Sequence, residues 1–222
     1  MPAEPLNGQQ TRAGKGEARR SEMMMLSEVT PVPEAALPLA QFKAHLRLGT
    51  GFGEDSLQDE VLIGFLRAAL AAVEARTGKA LITRDFEMET RHWRDRTRMV
   101  FPIAPVQMVT EVMIRDAAGA ETVVDPAAYH LERDSQRPAL CPAGSLLPAI
   151  PAGGLARITL QAGMAADWGG LPADLGQALM LLAAHYYEYR ADTGLHGGCM
   201  PFGVTSLIER YRTLRLTLGG LA

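Results

Sequence analysis

The chain has 222 residues, 24.0 kDa and 47% hydrophobic content, enough for one generous domain or two small ones built around real cores. A formal net charge of −3 excludes a protein that grips nucleic acid over its whole surface, so any DNA contact has to be local. Two cysteines, Cys141 and Cys199, exclude a disulfide framework; with no secretory-signal pattern at the start and no apolar run longer than that at 178–184, a cytoplasmic protein without a membrane span is expected.

Residues 1–22 mix Pro, Gly, Gln and charges with almost nothing to bury, the composition of a disordered segment. The run Met23, Met24, Met25 offers alternative translation starts. After a Pro-rich stretch, Leu39, Phe42 and Leu46 recur at helical spacing up to Gly49, which predicts a short amphipathic helix. The loop with Gly49, Gly51 and Gly53 leads to Asp55 and Ser56, expected N-cap residues of a long helix. Its buried stripe is Leu57, Val61, Leu62, Phe65, Leu66, Ala69 and Val73, and Gly78 ends it. Alanines at 68, 69, 71, 72 and 75 suit the close approach of a neighbouring helix. The first helical segment is therefore placed at 37–81.

From Ile82 the period changes to two: Ile82, Phe86 and Met88 point one way and Thr83, Asp85, Glu87, Glu89 and Arg91 the other. Pro102 and Pro105 fit an edge or a bend, and further strands follow at AYHLER and LARITLQAGM. The expectation is an antiparallel sheet or sandwich at 82–165, inserted between helices. A helix at 171–192 opens with Pro172 and Asp174 and buries Leu175, Ala178, Leu179, Leu182 and Tyr186. Ser206 and Glu209 form a capping-box pattern for a last helix at 205–218, with Leu207, Tyr211 and Leu214 on one side. The fold class is thus α+β: a helical bundle with a β-rich insertion and a C-terminal docking helix.

No catalytic constellation emerges. The glycines at 49, 51 and 53 lack the Lys-Ser/Thr of a phosphate cradle, and Glu54 and Asp55 would repel an anion. His185, His196 and Cys199 supply at most three of four zinc ligands at no familiar spacing, so no metal and no cofactor is expected. Ser145 has no base beside it, and Glu87 with Glu89 reads as a wet sheet surface. The densest charge cluster is RHWRDRTR, where Arg94, Arg96 and Arg98 lie around Trp93. A DNA backbone contact or a solvated turn both fit it, and the Arg91–Arg98 hairpin supports an alternative reading as a small DNA-binding or regulatory protein. Tyr186, Tyr187, Tyr189 and Arg190 read first as core and rim, and a Tyr and Arg concentration is also what interface hot spots use.

Three stretches taken together, DEVLIGFLRAALAAVEARTGKAL, LPADLGQALMLLAAHYYEYRAD and PFGVTSLIERYRTLRL, with a sheet between the first two, resemble the head-tail connector (adaptor) proteins of long-tailed bacteriophages. The resemblance is in particular to the versions found in phage-like gene transfer agents. The resemblance covers about residues 37–216. It implies a virion protein, assembled in the bacterial cytoplasm, that forms a ring, commonly of twelve copies, beneath the capsid portal. It further implies links to the portal and to a tail-side connector or stopper, DNA passing through the lumen without sequence specificity, and no catalysed reaction. The C-terminal helix would then dock on the portal through Leu207, Arg210, Tyr211, Leu214 and Arg215, while Tyr186, Tyr187, Tyr189 and Arg190 would face the next subunit.

Overall fold

The computed structural model describes residues 24–48, 55–190 and 200–212. Residues 1–22, the Gly49–Glu54 loop, His196, Cys199, Leu214 and Arg215 lie outside the described residues, as do the side chains of Asp55 and Ser56.

Among the described residues, four α-helices and two antiparallel sheets enclose two hydrophobic cores. The helices are α1 (Leu39–His45), α2 (Asp55–Thr77), α3 (Ala173–Glu188) and α4 (Phe202–Ile208). In α3 Leu175, Ala178, Leu179 and Leu182 of the expected stripe are buried, Tyr186 is half-buried, and Met180, Ala183 and Ala184 are buried as well. A helix apolar on nearly every side belongs in the centre of its layer, and α3 lies there, against α1, α2 and α4. Phe42 of α1 and Leu62, Leu66, Ala69, Leu70 and Val73 of α2 complete this core.

Two expectations for α2 are corrected. Val61 is 51% exposed rather than part of the buried stripe, because the stripe runs through Leu62, Leu66, Ala69 and Val73 one position along the helix. Of the alanines, only Ala69 is fully buried; Ala68, Ala71 and Ala75 face away from the fold. With Val61 and Gly64 they form an outward row at alternating spacings of three and four.

The five-stranded sheet has the order β1-β2-β8-β4-β5, from β1 (Met24–Glu28), β2 (Arg84–Thr90), β4 (Val106–Arg115), β5 (Glu121–Val123) and β8 (Leu155–Ala162). A three-stranded sheet, β3-β7-β6, comes from β3 (Met99–Val100), β6 (Tyr129–Glu132) and β7 (Ala139–Pro142). Phe86, Met88, Ile158 and Leu160 from the first share one core with Met99 and Leu140 from the second, so the insertion is a small sandwich. The alternation expected in β2 is present, with Phe86 and Met88 inside and Asp85, Glu87 and Glu89 outside. Arg84 also points inward, and β1, a Met-rich edge strand, carries no alternation strong enough to announce itself. Among the described residues no helix is long and apolar enough to cross a membrane.

The last helix begins earlier than the capping-box pattern placed it. Pro201 is the N-cap and Phe202 the first helical residue, so Ser206 sits mid-helix and Glu209 pairs with Arg212 instead of reaching back. The reason is packing: starting at Phe202 lets Val204 and Ile208, both 0% exposed, enter the α3 core. The described part of the terminal helix is thus seated in the core, with Leu207 and Tyr211 half-buried at its margin.

Candidate functional site

The residues singled out in the sequence fall on three surfaces. The first is the junction of α4 with the start of α3. Asp174, in the first turn of α3, accepts a 2.8 Å hydrogen bond from the Tyr211 hydroxyl, and its second oxygen lies 2.9 Å from Arg210 Nε. The Arg210 guanidinium also covers the Tyr211 ring. An acid at a helix start is favoured by the exposed N–H groups there, and here it also clamps the turn after α4. Burial raises the Tyr211 hydroxyl above its ordinary range, further from the neutral pH at which any tyrosine already keeps its proton. Two residues expected to reach the portal, Arg210 and Tyr211, are therefore held in place by α3, while Phe202, 88% exposed, was not marked by the sequence.

The second surface is the C-terminal end of α3. Tyr187 packs edge-on against Phe65 with ring centroids 6.0 Å apart, and Arg190 lies over the Tyr187 ring at 4.5 Å while donating to its carbonyl. Tyr189 lies tilted against the His185 ring, centroids 4.6 Å apart, and is 47% exposed; Tyr186 is half-buried against the helical core. The structure brings Tyr189 and Arg190 to the surface together and spends Tyr186 and most of Tyr187 inside.

The third is the arginine-rich connection between β2 and β3. Trp93, at the centre of the arginine cluster, is buried in the sandwich core and donates its indole N–H to the Pro148 carbonyl at 2.7 Å, so it is not offered to a DNA backbone. Arg96 donates through Nε and Nη2 to the Leu147 carbonyl, and Leu147 N–H returns a bond to Arg96. Arg98 forms a two-pronged pair with Glu132 of β6, at 3.0 and 2.8 Å, and donates to the Arg137 carbonyl. Arg96 and Arg98 thus tie the connection to the β6–β7 side of the sandwich. Arg94 is exposed.

Glu132 is held below the ordinary carboxylate range, first by Arg98 and then by the Cys141 thiol. Asp134 is lowered by the Arg137 and Gln136 N–H groups. Folded values below unfolded ones mean that the stabilisation is present above the ordinary carboxylate pKa of about 4 and fades as pH falls through the lower folded values. Wild type and Arg98→Ser should accordingly differ in melting temperature at pH 7 and converge on acidification below about pH 4, in melts followed by circular dichroism. A constant gap across that range would mean that Arg98 contributes by packing alone.

The paired acids of the outer sheet face are bridged by Arg157, 3.0 Å from Glu89, 3.4 Å from Glu87 and 3.9 Å from Glu121. This is a cross-strand charge ladder in contact with water.

No protein-family model and no curated relative matches the chain. Solved structures do. The neck of an empty gene transfer agent particle, computed with C6 symmetry, contains a chain 52% identical, with a TM-score of 0.79 and coverage of 88% of this chain and 98% of that one. A virion of a native gene transfer agent particle gives 51% identity and a TM-score of 0.76 at the same coverage. The neck of a native particle computed with C12 symmetry gives 48% and 0.75, again covering 88% and 98%. An α+β protein with helical and sandwich layers that shares about half its residues with chains of particle necks is a structural connector. The chain belongs to the neck connector family of gene transfer agent particles.

Proposed function

We propose that this protein forms a ring in the neck of a phage-like particle, beneath the capsid portal, joining it to a tail-side connector and leaving a lumen through which DNA passes. The observation that carries this reading is the likeness over 98% of chains from necks computed with C6 and C12 symmetry, since such necks repeat one chain around an axis. No reaction is catalysed in this reading; its work is positioning.

Each copy then needs two different faces, one for each neighbour, because ring contacts are heterologous. Tyr189 and Arg190 at the end of α3 supply an amphipathic, exposed pair suited to one of them. The portal contact is assigned to the C-terminal segment: Leu207, Arg210 and Tyr211 at its described start, Leu214 and Arg215 beyond. The DNA contact is weak and sequence-blind, as sliding requires.

Mass measurement of the purified full chain, alone and with the portal, tests the ring. Rings of six or twelve copies are expected, and Tyr189→Ala with Arg190→Ala should lower the ringed fraction at least tenfold without altering the melt. A double variant that rings like wild type would move the subunit contact elsewhere; a chain that stays monomeric with portal present would overturn the proposal.

A further inference from the structure

The arginine run at 94–98 was visible in the sequence; its partner was not. The loop between β6 and β7, residues 133–138, meets it in space: Arg98 bonds Glu132 and the Arg137 carbonyl, and Arg133 donates to the Gln107 carbonyl at 3.1 Å. The two stretches 94–98 and 132–137 hold five arginines against three carboxylates, a local positive excess in a chain of net charge −3. Behind the loop, Lys79 is 1% exposed and donates to the Ser135 carbonyl and the Gln136 amide oxygen, both at 2.7 Å. Asp134 accepts from the Gln136 and Arg137 N–H groups and so closes the loop on itself.

The arrangement divides labour among the cations. Lys79, Arg96 and Arg98 are the scaffold, their donors taken by carbonyls and Glu132. Arg133 and Arg137 are fully on the surface, and neither has a carboxylate partner among the described residues. Burying a lysine to fix an exposed loop costs desolvation, which burial shows by lowering the Lys79 ammonium from its ordinary value. A loop so held loses little freedom on contact.

We infer that the pinned 133–137 loop, presenting Arg133 and Arg137 beside the 94–98 run, is this subunit's contact for the phosphodiester backbone of DNA. The inference rests on the connector reading, which brings DNA past the protein. Two features favour phosphate over an acidic protein surface. Guanidinium forks match phosphate oxygens. None of the large exposed hydrophobic residues (Met25, Val29, Val61, Met108, Val123, Leu146, Tyr189 and Phe202) lies in either stretch, so the apolar anchors that protein hot spots use are missing there. Charge without an anchor holds a sliding polyanion without stopping it.

The test uses the full chain and a random-sequence DNA duplex, with retention measured against salt concentration. Arg133→Ser with Arg137→Ser should make the slope of log affinity against log salt shallower by about two units, nearly one for each phosphate no longer neutralised. Arg133→Lys with Arg137→Lys should restore most of that slope. The charge-matched control, Arg47→Ser with Arg76→Ser, alters exposed arginines on α1 and α2 sides of the fold and should leave the slope near wild type. An unchanged slope in the serine variant, an equal loss in the control, or stronger retention of polyglutamate than of DNA overturns the inference. Negative-stain images of the same variants separate the two readings: rings without the slope change remove only the DNA contact, whereas absence of rings in wild type with portal removes the connector reading itself.

Discussion

Replacing Glu74 by alanine is expected to lower the melting temperature by an amount on the order of 10 °C. Arg84 points inward from β2 with only 5% of its side chain exposed, and Glu74 of α2 holds it at 2.7 and 3.0 Å, with Glu28 of β1 at 3.1 Å. Glu74 also accepts the Leu81 N–H at 2.7 Å, so its loss orphans a backbone donor and leaves the buried guanidinium with only Glu28 and the Ile82 carbonyl. Removing one member of a buried pair costs about 3–5 kcal/mol, because the remaining charge stays buried without compensation. For a chain of this size each kcal/mol moves the melt by roughly 2–4 °C. Glu74→Leu combined with Arg84→Met should recover most of the loss, since apolar replacements of similar volume restore the balance. Differential scanning calorimetry decides; a Glu74→Ala protein melting with wild type would show that Glu28 alone suffices.

Cutting the chain after Pro201 is expected to destroy cooperative folding, while cutting it after Arg212 is not. The first cut removes Val204 and Ile208 from the α3 core together with the Tyr211 hydrogen bond to Asp174. Large-to-small changes at such positions cost about 2–5 kcal/mol each, and losing both approaches the whole stability of a typical domain. The second cut removes TLRLTLGGLA with Leu214 and Arg215, and in the connector reading it should leave a folded, ring-forming protein that no longer captures portal. Melts read the fold and co-sedimentation with portal reads the docking. Portal capture unaffected by the second cut would place the docking contact on Leu207, Arg210, Tyr211 or another face.

The elements that sequence reading placed well are those whose own burial pattern repeats. The α3 stripe and the β2 alternation recur over several periods, so 3.6 and 2 could be told apart from the letters. What it missed depends on partners distant in sequence. β1 becomes a strand because its register with β2 sets Leu26 opposite Met88, and nothing within MMLSE signals this. β7, where no strand was expected, pairs Leu140 with both Met99 and Leu131. Ser206 and Glu209 mimic a helix start, yet Val204 and Ile208 gain more by burial when the helix begins at Phe202. The arginine run was legible as charge, but its division into scaffold and surface required the 133–137 loop, about forty residues away, to be brought beside it. Inward Arg84 could have been suspected from its place in the β2 alternation, two residues before Phe86.

Between the two cores the chain crosses through adjacent short segments. Lys79 bridges to Ala104 and Ile82 to Ala165; Leu81 and Ile82 sink into the helical core while Ala80 enters the sandwich. Gly163 permits this closeness, since a Cβ there would stand 2.2 Å from Thr83 Cα. Two neighbouring crossings alone would act as a hinge line. The Arg84 pairs to Glu74 and Glu28 brace one side of that line, and the Lys79 tie to the 135–136 loop braces the other. Torque applied to the helices is therefore passed to the sandwich through both braces at once, and the two layers move as one lever.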